Sequence, residues 1–275
     1  MSNTANWYFD FISPYAYFQF KHFHRLPSSL NVTLRPILFA GLLGHWKTKG
    51  PAEVPAKRIQ TYQYCDWYSK RIGLPFKTPP AHPFNPLKIL RLAIALNCSM
   101  KAVGAIFDYV WGQGGDTHSE EGFKSLCDKM ALKDVPALIG SKDVKIKLRE
   151  NTAQAIKAGV YGVPTFHYEG DLFWGFDATE MFLERIKDPS LLTQPEMIRL
   201  ADLPAAKERK KTTIHIKKVL KNIFKKNSPA VLYGGSVDGS NVEMFKQIKE
   251  IDGFLIGGAS KSSKKFIDII KNYYR

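Results

Sequence analysis

The stretch NWYFDFISPYAYFQF, residues 6–20, joins a short apolar strand directly to the start of a helix. Residues 6–12 are rich in aromatic and branched side chains, which is typical of a β-strand. Pro14 suits the first turn of a helix, because the N–H that proline lacks has no helical partner at that position. Ser13 is therefore predicted to be the N-cap of a helix over residues 15–24. Its hydroxyl would lie beside free N–H groups at the positive end of the helix dipole, either as an ordinary cap or as part of a binding site.

The chain beyond this helix predicts a second strand and then a long helical block. NVTLRPILF, residues 31–39, is predicted to be the strand, and the Gly- and Pro-rich residues 40–55 are predicted to be irregular. Residues 75–86 contain five prolines and cannot be helical. Apolar spacing predicts helices on both sides of that stretch: residues 56–74, one or two helices within 87–114 with a break near 97–99, residues 119–132, and residues 141–158 ending at Gly159.

A hairpin and a closing helix complete the pattern. PTFHYEG and DLFWG are two short strands around a turn at residues 169–171, and residues 178–188 predict a helix. The order strand, helix, strand, helical block, strand, strand, helix indicates an α/β thioredoxin-like domain with a helical insertion at about residues 40–158. A proline at the first residue of a strand is often tolerated there simply because its missing N–H is not needed for sheet pairing. In this layout, however, the Val163-Pro164 bond is predicted to be cis, with the Val163 backbone facing the start of the first helix.

The net charge of +15 is concentrated in the last quarter of the chain. Residues 207–275 carry 16 Lys/Arg against 6 Asp/Glu, whereas the first 206 residues carry 24 against 19. Such a basic tail can bind an anionic partner. The lysines are spaced at helical periods without interleaved aromatic rings, so a solvated lysine-rich surface is favoured and no nucleic-acid partner is expected.

The remaining composition restricts the class of protein further. Cys65, Cys98 and Cys127 form no C-x-x-C pair, which argues against a disulfide framework, a metal site and a redox dithiol. No apolar run approaches the roughly 20 residues that a membrane helix needs. The N-terminus lacks the pattern of a secretory signal, and a cytoplasmic protein without a membrane partner is expected.

Six motifs occur in an order that resembles one family: FDFISPYAYF, RPILFAGLL, KGPAEVPAKR, PPAHPFNPL, GVYGVPTF and LFWGFD. Together they resemble the 2-hydroxychromene-2-carboxylate isomerase family, relatives of the kappa-class glutathione transferases. The resemblance covers about residues 5–210, ends with MIRLADLPAAKERK, and implies a first domain over residues 1–210.

The resemblance implies that glutathione is the cofactor and lies between the first helix and the Val163-Pro164 turn. Ser13 would donate a hydrogen bond to its thiolate, although the family's serine is often described as the nucleophile itself. Val163 would pair its backbone with the cysteinyl unit. Trp174, Gly175, Phe176 and Asp177 match the family's Trp-Gly-x-Asp, which binds the remaining polar groups of the peptide. Asp177 could equally be a helix N-cap, and Trp174 could equally lie in the core.

The resemblance also implies a reaction. The family converts 2-hydroxychromene-2-carboxylate to trans-o-hydroxybenzylidenepyruvate in aromatic catabolism, by reversible addition of the thiolate. The substrate is a small aromatic carboxylate, and a homodimer is a family expectation. Some members place a lysine near Leu43 and an asparagine near Glu53, and this chain has neither. The candidate substrate-binding residues are therefore His45, Lys47, Glu53 and His82. Lys47 or His82 could supply the cation that a carboxylated aromatic needs, although both histidines could be plain surface residues.

The C-terminal residues 229–274 resemble a different protein, the last two β/α units of triosephosphate isomerase. YGGSV and GFLIGGAS match its two phosphate-binding loops, where the N–H groups of Ser236, Gly257 and Gly258 could hold a phosphate. That enzyme's catalytic lysine, histidine and glutamate belong to earlier strands, which this chain lacks. Two units out of eight cannot close a barrel. We therefore expect residues 211–275 to be a fragment with vestigial phosphate loops and without triosephosphate isomerase activity.

Three functions remain open from the sequence. The first is the glutathione-dependent isomerase, and the second is a kappa-like glutathione transferase that acts on electrophilic substrates. The third is a non-catalytic binding module in which the basic tail recruits an anionic partner.

Overall fold

The computed structural model describes residues 3–203 and, further along, residues 220, 222, 230–235, 237, 242, 252–256 and 262–274. The chain divides into two compact units, Met1–Gln194 and Pro195–Arg275. The predicted boundary near residue 210 lies outside the described residues and stays a prediction.

A four-stranded sheet organises the first unit. Its strands are β1 (Thr4–Phe9), β2 (Asn31–Pro36), β3 (Thr165–Tyr168) and β4 (Asp171–Trp174), in the order β2-β1-β3-β4. β1 and β2 are parallel, β3 is antiparallel to β1, and β4 is antiparallel to β3. The sheet confirms the predicted α/β thioredoxin-like plan, in which a helical insertion separates two pairs of strands.

The helices of the first unit lie around this sheet. They are α1 (Pro14–Lys21), α2 (Phe39–Trp46), α3 (Pro55–Ile72), α4 (Leu87–Ala95), α5 (Met100–Phe107), α6 (Glu120–Lys129), α7 (Val135–Gly140), α8 (Lys142–Lys157) and α9 (Thr179–Lys187). α5 continues as a π-helical turn over Asp108–Gly112. Within the described residues, no helix is long and apolar enough to cross a bilayer.

The predicted irregular stretch at residues 40–55 is wrong, because it contains α2 and a 3₁₀ turn over Pro51–Glu53. α2 lacks a side-chain cap of its own. Its first N–H groups are bonded from elsewhere, with Leu38 donating to Thr152 Oγ1 at 3.1 Å and Phe39 to Asp10 Oδ2 at 2.9 Å. Residues that are distant in sequence therefore stabilise a helix that the Gly- and Pro-rich composition of residues 40–55 did not predict. The short helix α7 was also not predicted.

Aromatic side chains fill the core on one face of the sheet. Trp7 stacks on Phe9 with ring centroids 4.5 Å apart, and Phe166 stacks on Phe182 at 4.3 Å. The opposite face holds a smaller cluster that joins β1 to α2, α8 and the Val163 turn: Tyr8, Ile37, Leu42, Ala155, Val160 and Val163. The turn is therefore held by apolar packing on its inner side.

The second unit is small. It contains α10 (Pro195–Ala201), β5 (Leu232–Gly235), β6 (Gly253–Ile256) and α11 (Ser263–Tyr274). β5 and β6 are parallel, and a cluster of Val237, Val242 and Ile269 packs beside them. In the described part of this unit, these two strands form the whole sheet, in agreement with a fragment that closes no barrel. Ser236, Gly257 and Gly258 lie outside the described residues.

Candidate functional site

Ser13 is the N-cap of α1, as predicted. Its backbone is extended, with φ −93° and ψ 116°, and Pro14 begins the helix. The Ser13 Oγ accepts a hydrogen bond from the Ala16 N–H at 3.2 Å, and the Ser13 N–H donates to the Asp10 carbonyl at 3.1 Å. The side chain is almost buried, so it faces other parts of the protein rather than bulk solvent.

The turn before β3 lies opposite this helix start. The Val163-Pro164 bond is cis, which confirms the prediction. The Ser13 hydroxyl donates a long hydrogen bond of 3.4 Å to the Val163 carbonyl, across 150 residues of chain. Within the described residues, the N–H groups of Val163 and Tyr15 have no hydrogen-bond partner. A hydroxyl, a helix N-terminus and a backbone edge that can pair with an extended peptide therefore meet in one place.

The segment 174–177 is tied to both sides of this junction through Gly175. The Gly175 N–H donates to the Pro164 carbonyl at 2.8 Å, and its own carbonyl accepts from Gln19 Nε2 at 3.0 Å. Its φ of +94° is in the left-handed region, and a Cβ there would collide with the Asp177 carboxylate. Glycine is required at this position because an alanine would meet both constraints at once.

Gln19 connects α1 to this segment, and the sequence analysis missed it. The side chain is buried, and its Oε1 accepts from Trp7 Nε1 at 2.6 Å. Its Nε2 donates to the Gly175 carbonyl and to Thr179 Oγ1, each at 3.0 Å. The sequence feature that could have indicated a buried role for Gln19 is its position between aromatic residues of an apolar helix.

The other predicted residues of this segment differ in exposure. Trp174 is 49% exposed and lies 5.0 Å from the Tyr161 ring, so its alternative role in the core is wrong. Its indole covers Gly162 so closely that a Cβ there would collide with it. Phe176 packs against the rings of His22 and Tyr68 at 5.1 and 5.2 Å, and its side chain belongs to the scaffold.

Asp177 is exposed and does not cap α9. The N-cap of that helix is Ala178, without a side-chain hydrogen bond. The alternative role of Asp177 as a cap is therefore wrong. Its charge contributes to the environment of Tyr15, whose phenol pKa is raised to about 12, chiefly by burial. The carboxylate is thus within electrostatic range of the Tyr15 phenol.

A buried carboxyl group supports the loop before Ser13. Asp10 is completely buried, its Oδ1 accepts from the Ile12 N–H at 3.1 Å, and its Oδ2 accepts from the Phe39 N–H at 2.9 Å. Burial raises the pKa of Asp10 to about 7, against the opposing effect of these two hydrogen bonds. The residue links the loop to α2, and sequence reasoning did not single it out.

His82 lies inside the domain next to the same loop, rather than on the surface. Its Nε2 is 2.8 Å from the Ile12 carbonyl, and its Nδ1 is 2.7 Å from the Tyr62 hydroxyl. Burial lowers the pKa of His82. Both ring nitrogens are engaged and the neutral form is favoured, which does not fit the predicted role as a cation for a substrate.

The other three predicted substrate residues are exposed and lie along one stretch of chain. His45 packs edge-to-face on Trp46, and Lys47 ends α2 in a left-handed conformation with φ 53°. Glu53 Oε1 accepts from the Gly50 N–H at 2.7 Å, so its carboxylate stabilises the local turn. The described contacts bring none of the three to Ser13 or Val163.

Thiol and metal chemistry have little support in the described residues. Burial raises the pKa of the Cys65 thiol to about 12 and that of Cys98 to about 11, and it also raises the pKa of Cys127. In the part of the chain that the structure describes, no three His, Cys, Asp or Glu side chains are grouped to hold a metal ion.

The first unit of this chain is similar to proteins of known fold. The chain is 28% identical over 180 residues to glutathione S-transferase kappa 2 of Caenorhabditis elegans, covering 60% of this chain and 80% of that protein. It is 25% identical over 195 residues to glutathione S-transferase kappa 1 of Rattus norvegicus, covering 64% of this chain and 86% of the relative. A solved structure of 2-hydroxychromene-2-carboxylate isomerase superposes with a TM-score of 0.60 at 20% identity, over 74% of this chain and 100% of that one. This identity supports the fold alone.

The two units match different families. Residues 198–273 match the triosephosphate isomerase model. Over 62 residues the chain is 44% identical to triosephosphate isomerase of Chlamydia abortus, which is 22% of this chain and 24% of that enzyme. The chain thus spans about a quarter of that relative. Residues 4–187 match the model of the DSBA-like thioredoxin domain, which covers well over half of the chain. The chain therefore belongs to the family of DSBA-like thioredoxin domains.

Proposed function

We propose that this protein is a glutathione-dependent isomerase that converts 2-hydroxychromene-2-carboxylate to trans-o-hydroxybenzylidenepyruvate. The observation that carries the proposal is the 3.4 Å contact between the Ser13 hydroxyl at the start of α1 and the carbonyl of Val163 before cis Pro164. This contact joins the two elements between which the cofactor would bind.

The residues at this junction fit glutathione. Val163 offers a carbonyl and, within the described residues, an N–H without a partner, which together suit the cysteinyl unit of an extended peptide. The exposed carboxylate of Asp177 near Tyr15 suits the ammonium group of the γ-glutamyl unit. When bound, glutathione supplies a thiolate that adds reversibly to a conjugated double bond and so allows rotation about it.

Ser13 would stabilise that thiolate rather than act as a nucleophile. In the described part of the chain its hydroxyl contacts the Ala16 N–H and the Val163 carbonyl, and no histidine, lysine or carboxylate is hydrogen-bonded to it. It therefore lacks the base that would activate it. The Tyr15 N–H and the positive end of α1 favour a negative charge at the same place, which lowers a thiol pKa from about 8.5.

A spectrophotometric assay tests the proposal. We expect wild-type protein to change the absorbance of 2-hydroxychromene-2-carboxylate only when glutathione is present. Ser13→Ala should lower kcat by about 100-fold, the effect typical of removing one preorganised donor. Ser99→Ala is the matched control, because Ser99 caps α5 through the Ala102 N–H at 3.3 Å and is not part of the site. A rate without glutathione, or equal rates for wild type and Ser13→Ala, would contradict the proposal.

A kappa-like glutathione transferase is the second candidate, supported by the two kappa relatives whose length this chain covers by 80% and 86%. The same site would then direct the thiolate to an electrophile that keeps it. Isomerisation leaves the glutathione concentration unchanged, whereas transfer consumes one molecule for each product. Measurement of free thiol during turnover with the chromene and with 1-chloro-2,4-dinitrobenzene separates the two.

A further inference from the structure

The peptide groups of Ile12, immediately before Ser13, are held from two sides. The Ile12 N–H donates to Asp10 Oδ1 at 3.1 Å, and its carbonyl lies 2.8 Å from His82 Nε2. One residue earlier, the Phe11 carbonyl accepts from Trp111 Nε1 at 2.8 Å. The backbone that presents Ser13 is thus fixed by side chains from three separate parts of the chain.

The contacts of His82 define its tautomer. A carbonyl oxygen only accepts hydrogen bonds, so Nε2 carries the hydrogen and donates it to Ile12. In the neutral ring Nδ1 is then an acceptor, and the Tyr62 hydroxyl shares its hydrogen between this nitrogen at 2.7 Å and the His82 carbonyl at 3.3 Å. The other groups that face the ring are the Phe84 and Trp111 rings, at 5.9 and 5.2 Å, and the charge of Arg58, which disfavours a second proton.

We propose that His82, with its tautomer set by the Ile12 carbonyl and supported by Tyr62, is a positioning residue that holds Ser13 at the start of α1 for a bound thiolate. Its role toward the ligand rests on the proposed function. Without the imidazole N–H, the partly buried Ile12 carbonyl loses its partner, and the peptide group that links Ile12 to Ser13 is held on its N–H side alone. Ser13 would then no longer face both the Ala16 N–H and the Val163 turn.

A thiol placed at position 13 reports this positioning without any added glutathione. The three native thiols have raised pKa values, so a thiol that titrates low in Ser13→Cys can be assigned to position 13. We expect its pKa to lie below the ordinary value of about 8.5. The measurement is the pH dependence of iodoacetamide alkylation, with the modified peptide identified by mass spectrometry.

Two substitutions of His82 in the Ser13→Cys background separate positioning from charge and bulk. His82→Ala should raise the pKa of the introduced thiol by about one unit. His82→Gln should restore it to within a few tenths of the parent value, because the glutamine amide places an N–H near the position of Nε2 and carries no charge. An unchanged pKa in His82→Ala, or the same rise in both variants, would overturn the proposal.

Tyr62→Phe in the Ser13→Cys background tests the tautomer of His82. It also tests the proposal if His82→Ala does not fold. Loss of the hydroxyl frees His82 to place its hydrogen on Nδ1, so a rise of a few tenths of a unit is expected. Tyr64→Phe on the same helix is the control, because the Tyr64 hydroxyl has no hydrogen bond within the described residues. An equal effect of the two tyrosine variants would contradict the role of Tyr62. Calorimetric titration of wild type with glutathione tests the proposed function separately.

Discussion

Among the described residues, Ser13, Ser99 and Ser119 begin helices in nearly the same way, and of these three Ser13 alone lies at the candidate site. Ser13 and Ser99 both have extended backbones and accept a hydrogen bond from the N–H three residues later, at 3.2 and 3.3 Å. Ser99 is exposed, whereas Ser13 is almost buried and lies against the Val163 carbonyl. The local cap is therefore common, and the surrounding tertiary structure distinguishes the one candidate from the other.

The largest effect on the scaffold of the Ser13 site is expected from Gln19→Leu. The substitution leaves the Trp7 indole N–H and the Gly175 carbonyl without their partner, and each buried unsatisfied group costs about 1–3 kcal/mol. We expect the free energy of unfolding to fall by about 3 kcal/mol in urea denaturation. Gln154→Leu, at an exposed position of α8, is the control and should change it by less than about 0.5 kcal/mol. Similar losses would mean that Gln19 is an ordinary helix residue.

Asp10→Asn tests the buried carboxyl beneath the Ser13 loop through the pH dependence of stability. The pKa of native Asp10 is raised to about 7, so the folded protein binds this proton more tightly than the unfolded chain does. Its contribution to stability is complete below about pH 4 and is lost as the pH rises toward 7. From pH 7.5 to 5.5, wild type should gain stability relative to Asp10→Asn by up to about 1.4 kcal/mol per pH unit. Parallel curves from urea denaturation would refute the raised pKa.

Two glycines with nearly the same φ sharpen the contrast between the site and an ordinary turn. Gly175 has φ +94° and no room for a Cβ beside Asp177, whereas Gly170 in the hairpin has φ +93° and open space around it. Gly170→Ala should cost about 1 kcal/mol for the left-handed backbone alone. Gly175→Ala should cost about 2 kcal/mol and should also weaken glutathione binding at least tenfold in calorimetry. If Gly170→Ala and Gly175→Ala weakened glutathione binding equally, Gly175 would have no special role at the site.

The smallest expected effect concerns the two caps themselves. Ser13→Ala and Ser99→Ala should each lower the free energy of unfolding by about 1 kcal/mol, because each removes one N-cap hydrogen bond. Chemical denaturation of the two variants measures this directly. A loss of more than about 3 kcal/mol for Ser13→Ala alone would attribute its effect on activity to unfolding rather than to the site.

The sequence predicted the parts of the fold that depend on near neighbours. The cap at Ser13, the hairpin around Gly170 and the helix end at Gly159 each follow from residues within a few positions of one another. It failed at α2, whose first N–H groups are bonded by Asp10 and Thr152 from distant segments. It also missed Gln19 and misjudged His82, because their partners lie 156 and 70 residues away.

The sequence alone determined the order of the strands and of the helices other than α2 and α7, the serine at the first helix and the proline turn, because each is set by local backbone preferences. It also indicated that residues 211–275 are a fragment of a larger barrel, and the second unit agrees with this. Only the tertiary structure decided which polar groups meet at Ser13. Asp10, Gln19 and His82 reach that loop and its neighbours because the packed sheet and helices bury their polar atoms, and buried polar atoms must find hydrogen-bond partners wherever the fold places them.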